Sequence, residues 1–275
     1  MNRTGLKRDT IDKFYTKPDV AAQCIQWTSD NISINKTDIL IEPSAGNGSF
    51  IEGMRGLSDI CKFYDIAPEH GDIEKRDFLE FDSISELGDI GLNQKIHVIG
   101  NPPFGRQSSL AIKFIKKACS FAHSISFILP NSFKKGSLRN KIPRNFHLLF
   151  ESYLLDTSFS VEGDDVNVPC VFQIWEKRDV LRDKVVVEKP IGFKFVSMND
   201  QHDISFRRVG VNAGVVDTNT SEKSPQSHYF IQFTNGRGIA DNVERVRTLQ
   251  YETNNTVGPR SISKPEVICA FNRVL

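Results

Sequence analysis

Much of the chemistry in this chain sits in four consecutive residues, Asn101-Pro102-Pro103-Phe104, within the stretch KIHVIGNPPFGR. Two adjacent prolines cannot continue a strand ladder or open an ordinary helix, because both lack an N–H and both have φ fixed. They hold an amide, two carbonyls without competing N–H groups and an aromatic ring in one stiff tetrapeptide. Upstream, Glu42-Pro43-Ser44-Ala45-Gly46-Asn47-Gly48 carries a Gly-x-Gly turn, which lets the backbone approach a ligand closely where a Cβ would prevent it. The carboxylate heading this turn would oppose a pyrophosphate and suits a cationic ligand. Asp65 is a candidate acceptor for ribose hydroxyls, with an ordinary exposed carboxylate as the plainer alternative. Lys134, Lys135, Arg139, Lys141 and Arg144 lie in Asn131–Phe150 with no acidic residue among them, beside Ser132, Ser137 and Asn140. Basic and hydroxyl side chains together suit phosphate contacts; a solvated loop is the alternative.

The elements that must position these residues are legible as patterns. Asp38–Glu42, Ile60–Asp65, Ile96–Ile99 and Ile125–Leu129 are short apolar runs of strand length. The first runs directly into the glycine turn and then into a helix from Phe50 to Met54 or beyond. Strand, Gly-x-Gly turn and helix in succession mark the place where open α/β sheets bind nucleotides. In the stretch Asp12–Trp27, Thr16 is the expected helix cap, with Pro18 in the first turn and Asp19 at the capping-box position. Ser108–Phe121 reads as an amphipathic helix with Lys113, Lys116 and Lys117 on its polar face. Ser152–Asp156 and Val168–Trp175 read as two late strands. From about Asp183 the pattern changes to short strands (Val185–Val187, Phe193–Val196, Ile204–Val209, Tyr229–Phe233), a helix through Val243, Val246 and Leu249, and a last helix opened by the capping box Ser263-Lys264-Pro265-Glu266. The expected division is therefore 1–182 and 183–275.

Bulk properties narrow the class. The chain has 275 residues, a net charge of +1 and five cysteines. That length allows a full domain plus a small second module. Near-zero charge makes any nucleic-acid surface a local patch. Cys24, Cys61, Cys119, Cys170 and Cys269 are odd in number and form no C-x-x-C pair, the usage of reduced thiols in an intracellular protein rather than of a zinc site or disulfide framework. No run approaches the ~20 apolar residues of a membrane span, and the charged start is unlike a secretory signal. A cytoplasmic protein without metal is the expectation.

Asn101-Pro102-Pro103-Phe104 resembles the (D/N/S)-P-P-(Y/F/W) motif of amino-methyltransferases, and Glu42–Gly48 resembles their cofactor loop. The order of the pieces from Phe14 to Trp175 is similar to that of γ-type N6-adenine methyltransferases of DNA. The resemblance implies an α/β, Rossmann-like class I methyltransferase sheet, mostly parallel and seven-stranded, followed by a small C-terminal α+β module for target recognition or nucleic-acid contact. It implies S-adenosyl-L-methionine as cofactor and DNA as partner, with RNA possible. Asn101, Pro102, Pro103 and Phe104 would form the catalytic tetrapeptide. The cofactor would lie against Phe14, Tyr15 and Thr16, a segment folding over its methionine part, and against Glu42, Pro43, Ser44, Ala45, Gly46 and Gly48. Asp65, Ile66, Asp77, Phe78 and Asn101 complete that set, Asp77 meeting the adenine. Phe159 would stack on a flipped target base.

Plainer readings stand beside several of these. Phe14-Tyr15-Thr16 also fits a hydrophobic staple for the helix start, and Phe78 also fits a core filler. At the level of function, RNA adenine methylation uses the same chemistry, and a protein glutamine amide meets the same Asn-Pro-Pro motif. A module with a degenerate cofactor site is the non-enzyme alternative; the intact Asn101, Gly46 and Gly48 speak against it.

Overall fold

A computed structural model of the chain describes residues 14–88, 91, 94–155, 157–161, 163–186, 188–251 and 260–275. It contains two compact units that part between Val185 and Val186.

The first unit opens with β1 (Tyr15–Thr16), α1 (Pro18–Asn31), β2 (Ile39–Glu42), α2 (Ile51–Leu57), β3 (Ile60–Asp65), β4 (Glu74–Lys75) and α3 (Ser83–Leu87). There follow β5 (Ile96–Gly100), α4 (Ser109–Cys119), β6 (Ser124–Pro130), α5 (Gly136–Arg139), β7 (Phe146–Tyr153), β8 (Phe159–Val161), β9 (Asp164–Val166) and β10 (Cys170–Lys177). Seven strands form one sheet in the order β4-β3-β2-β5-β6-β10-β7. β4, β3, β2, β5 and β6 are mutually parallel, and β10 runs antiparallel to both β6 and β7. This is the mostly parallel, seven-stranded α/β sheet that was expected. Its order reverses at β2, which pairs with β3 on one side and β5 on the other. Open α/β sheets hold ligands outside the strands' C-terminal ends at such a switch point, and here those ends are Glu42 and Gly100.

Covered on both faces, β2, β5 and β6 are buried along their whole length, their few polar residues included. Ile39, Ile41, Val98, Ile125, Phe127 and Val171 join one apolar cluster with Phe114, Ile115 and Ala118 of α4. On the opposite face Trp27 of α1 packs on Phe150 and Phe172. At the foot of the sheet Asp38 is fully buried and accepts hydrogen bonds from the backbone N–H of Asn35 and of Lys95. His97 Nε2 stands 3.5 Å from its carboxylate, and His97 Nδ1 lies 2.7 Å from Ser124 Oγ.

Three expectations need correction. Thr16 does not cap α1: the cap is Lys17, which makes no side-chain cap bond, and Thr16 sits in β1. That strand pairs with β8, and β8 with β9, in a separate three-stranded sheet. The strand expected at Ser152–Asp156 begins at Phe146, so the tail of the basic stretch is sheet rather than loop. Val185 and Val186 lie outside any strand, and Val187 falls outside the described residues.

The second unit holds β11 (Phe193–Val196), β12 (Ile204–Arg207), β13 (Val216–Asp217), β14 (His228–Phe233), α6 (Ile239–Arg247) and α7 (Lys264–Asn272). Its four-stranded antiparallel sheet, ordered β11-β14-β12-β13, shares a core with Val243, Val246, Val267 and Phe271 of the two helices. The capping box at Ser263 and Glu266 is formed, which explains where α7 starts. Among the described residues no helix is long and apolar enough to cross a membrane.

Candidate active site

The C-terminal ends of β2 and β5 bring the glycine turn and the tetrapeptide together. Ser44 Oγ donates to the Asn101 carbonyl at 3.0 Å, so the two loops are tied directly. Gly46 has φ +53° and Gly48 φ +89°, left-handed conformations that side-chain-bearing residues rarely adopt. The turn is pinned from β3: Asp65 accepts from Gly46 N–H through one oxygen and from Ala67 N–H through the other, both at 2.8 Å. Each carboxylate oxygen then keeps a lone pair for a ligand hydroxyl.

Above this floor lies a cleft of about 210 Å³, or about 990 Å³ with its open mouth included. Phe14 and Tyr15 line it, as do Pro43, Ser44 and Gly46 from the turn. Asp65 and Ile66 line it from β3, Asp77 and Phe78 from the following segment, and Asn101, Pro102, Pro103 and Phe104 from the tetrapeptide. Four nominated residues stand outside its lining. Thr16, Glu42 and Ala45 are buried behind it, and Gly48 faces Ile51 and His70 instead. Leu79, Leu110 and Phe114 complete the walls. They carry no motif, only apolar character at helical positions. Asp77 caps the short 3₁₀ turn Phe78–Glu80 by accepting from Leu79 N–H at 2.8 Å. Phe78 is 1% exposed, stacks on Phe81 and meets Phe114 at a tilt, so it is core and cleft wall together.

Asn101 has a defined orientation. Its Nδ2 donates to the Phe14 carbonyl at 3.1 Å and to Thr16 Oγ1 at 3.2 Å. A backbone carbonyl can only accept, so the amide cannot be turned the other way. Oδ1 is therefore the atom left over, and it is buried without a hydrogen-bond partner among the described residues. Unsatisfied buried acceptors are uncommon because they cost about 1–3 kcal/mol each, and one at a cleft points to a donor supplied by a ligand.

Glu42 is the second such group. Its side chain is wholly buried, and Oε2 has no partner among the described residues. Burial pushes its carboxyl up to about 8, the negative charge of Asp65 adding to the effect. Gly100, which sequence reasoning passed over, makes room for it: a Cβ there would stand 3.2 Å from Glu42 Cγ, and φ is +151°.

Backbone strain clusters just past the tetrapeptide. Gly105, Gln107 and Ser108 all have left-handed φ, at +66°, +54° and +59°. A Cβ on Gly105 would meet Leu110 Cβ at 2.8 Å. The Phe104 carbonyl accepts from both Leu110 and Ala111 N–H at 3.2 Å, fastening the tetrapeptide to the start of α4. Non-glycine residues in this region cost of order 1–3 kcal/mol and gather at functional sites.

The aromatic and basic candidates are less free than their sequence suggests. Phe104 is 4% exposed and Phe159 is 0% exposed. Phe159, nominated as a stacking face, lies in β8 opposite Thr16 with its ring edge-on to Phe14 at 6.4 Å, so it presents no face to solvent. Arg139 is committed to Glu151 at 2.8 Å, in a network that continues through Gln173 to Trp175. Lys134 lies over the Tyr153 ring at 3.7 Å. Lys135 is half-buried, while Lys141 and Arg144 are exposed, Arg144 donating from Nε to the Arg182 carbonyl at 2.8 Å. No group of three or more His, Cys, Asp or Glu stands placed for a metal ion among the described residues.

No family model matches the sequence, and no curated protein matches it. Solved structures similar to the chain include the methyltransferase subunit of a type I restriction-modification system from Streptococcus thermophilus, at 15% identity and a TM-score of 0.45 over 62% of this chain and 46% of that one. The 23S rRNA methyltransferase ErmE is 13% identical, with a TM-score of 0.43 over 62% of this chain and 71% of that one. A Thermoplasma acidophilum protein is 17% identical, with a TM-score of 0.42 over 60% and 89%.

Proposed function

We propose that the chain transfers a methyl group from S-adenosyl-L-methionine to the N6 amino group of adenine in DNA. The observation that carries this reading is the orientation of Asn101: its amide nitrogen is spent on Phe14 and Thr16, and its buried oxygen awaits a donor. A substrate amine is such a donor.

The residues present fit the cofactor. Gly46 leaves the cleft floor without a Cβ, Asp65 keeps two lone pairs for ribose hydroxyls, and Glu42 behind them, its Oε2 without a partner among the described residues, suits a cationic ligand. When bound, the cofactor supplies an electrophilic methyl group on a sulfonium. Everything else falls to the chain. The lone pair of an aromatic amine is delocalised into its ring, which makes it a poor nucleophile. Asn101 Oδ1 and the Pro102 carbonyl each accept one N–H of that amine, favouring a tetrahedral nitrogen whose lone pair leaves the ring plane. The amine protons are held at these two oxygens until the product releases one to water. Two prolines and the anchored Phe104 carbonyl keep the acceptors in place beforehand, so catalysis is orientation plus fixed dipoles, terms that supply on the order of 7–11 kcal/mol in well-aligned cases. Taking the base from a duplex costs a few kcal/mol, which stacking offsets. The exposed Lys141 and Arg144 are the candidates for phosphate contact, and residues 183–275 for contact with the flanking nucleic acid.

Incubation with tritiated S-adenosylmethionine and, in parallel, duplex DNA, single-stranded DNA, RNA and protein tests the reading. Label in N6-methyladenine of DNA is the expected result. Label confined to RNA or to glutamine would move the substrate while leaving the site, and no label anywhere would overturn the enzyme.

A further inference from the structure

We propose that Phe14 holds the place of the substrate's planar ring in the resting protein and must withdraw for that ring to stack on Phe104. This rests on the reading of Asn101–Phe104 as the substrate end of the cleft. It gives Phe14 a role as an occluding residue at the substrate's place, distinct from covering a cofactor.

Both rings nominated to grip a substrate have Phe14 as a neighbour. Phe104 meets it nearly parallel, at 6.2 Å between centroids and 29° between planes. Phe159 meets it edge-on, at 6.4 Å and 64°. Offset-stacked and edge-to-face pairs at 4.5–7 Å are the arrangements aromatic rings favour. Phe14 thus lies against the surface that a purine would need, and little of Phe104 and none of Phe159 is otherwise exposed.

Of the three, Phe14 is the one free to leave. Phe104 is fixed by the two prolines before it and by α4 after it, and Phe159 sits in β8 between two partner strands. Phe14 is half-buried and precedes β1, a strand of only two residues. The backbone of that segment is held at Phe14, whose carbonyl accepts from Asn101 Nδ2, at Tyr15, which pairs with Ser160 and donates from its hydroxyl to Glu69, and further along the chain. Ser49 Oγ donates to the Thr16 carbonyl at 2.6 Å, Lys17 N–H to the Ser158 carbonyl at 3.1 Å, and Lys17 Nζ pairs with Asp165 at 2.6 Å. These anchors hold the backbone of the segment and leave the Phe14 side chain free to swing about its Cα–Cβ bond. Swinging the ring away leaves Asn101 oriented, because the Phe14 carbonyl stays on Nδ2.

The test measures binding as well as turnover. An adenine-containing single-stranded oligodeoxynucleotide and an all-pyrimidine one of equal length are titrated by fluorescence anisotropy against the wild type, Phe14→Ala and Phe14→Leu. Removing the ring should tighten adenine binding about three- to tenfold, the worth of one aromatic contact, with the pyrimidine strand unchanged. Phe14→Leu keeps the apolar packing without the flat ring and should shift in the same direction. Phe14→Trp should show red-shifted, more quenchable emission when the adenine strand is added. Unchanged or weaker adenine binding by both truncations, or an indole emission in Phe14→Trp that does not respond to that strand, overturns the inference. If the wild type nonetheless methylates adenine, the function stands and Phe14 is a fixed wall. If the wild type labels no acceptor at all, the reading of the site falls and takes this inference with it.

Discussion

Asn101 is held by the segment it faces: its amide nitrogen reaches the Phe14 carbonyl, 3.1 Å away and on the far side of the glycine turn in sequence, so its oxygen is presented by elimination. Asn101→Ala should therefore spare ligand binding and lower turnover by on the order of 10²–10³-fold, the usual cost of deleting one preorganised polar group. Asn101→Asp keeps an acceptor toward the substrate but sets a second oxygen against the Phe14 carbonyl. It should retain part of the single-turnover rate and loosen the Phe14–Thr16 segment, which hydrogen exchange at Tyr15 and Thr16 would register. Wild-type turnover by Asn101→Ala would reduce the tetrapeptide to a structural turn.

Glu42 predicts a pH signature. Its carboxyl is raised in the folded protein to about 8, so between its ordinary value and about 8 the native state binds a proton that the unfolded state has lost. This group's contribution to stability accordingly falls as pH rises through that window and levels off above it. A cationic ligand favours the ionised form, so its binding should release a proton and tighten as pH climbs toward 8. Glu42→Gln should flatten both profiles in calorimetry with S-adenosylmethionine. Parallel profiles for the wild type and the variant would show that the carboxyl lies outside the ligand's reach.

Two glycines should fail in different ways. Gly46→Val puts a side chain on the cleft floor 3.4 Å from the Tyr15 ring, at a φ of +53°, and should abolish ligand binding while the protein stays folded. Gly100→Ala crowds Glu42 Cγ at 3.2 Å and should lower the melting temperature as well as ligand affinity. Circular dichroism melts paired with calorimetry separate the two outcomes.

The basic stretch should divide by partner. Arg139→Ala removes a half-buried bond to Glu151 and should cost on the order of 1 kcal/mol of stability without altering the salt dependence of DNA binding. Lys141→Ala and Arg144→Ala should each reduce the slope of log K against log salt by about one contact's worth. Equal slopes for all three variants would exclude this stretch as a phosphate surface.

The parts that sequence reveals are those where one physical requirement dominates. β2, β3, β5 and β6 are legible because mostly apolar runs of strand length stand out between polar segments, and the glycine turn and tetrapeptide are legible because few residues tolerate their backbone. β7 is not: Phe146–Tyr153 mixes His147, Glu151 and Ser152 with apolar residues and follows a basic run that imitates a loop. β1, β8 and β9 are two or three residues long, below any period. The role of Gly100 depends on a side chain from another strand, and the meeting of Phe14 with Phe104 on residues far apart in the chain. Neither leaves a local trace.

The Asp38–His97 pair at the foot of the sheet and Glu42 at its head lie on the neighbouring strands β2 and β5, and their proton affinities are displaced in opposite senses. Burial lowers His97 to about 4 against the pull of Asp38. Burial pushes the Asp38 carboxyl up, but the N–H donors of Asn35 and Lys95 and the neighbouring His97 outweigh it and hold it below its ordinary value. In the ligand-free protein neither His97 nor Glu42 then changes charge between about pH 4 and about 8. Both groups stay uncharged across that interval. A cationic ligand that ionises Glu42 therefore puts a charge at the head of the sheet while the pair at its foot is left as it was.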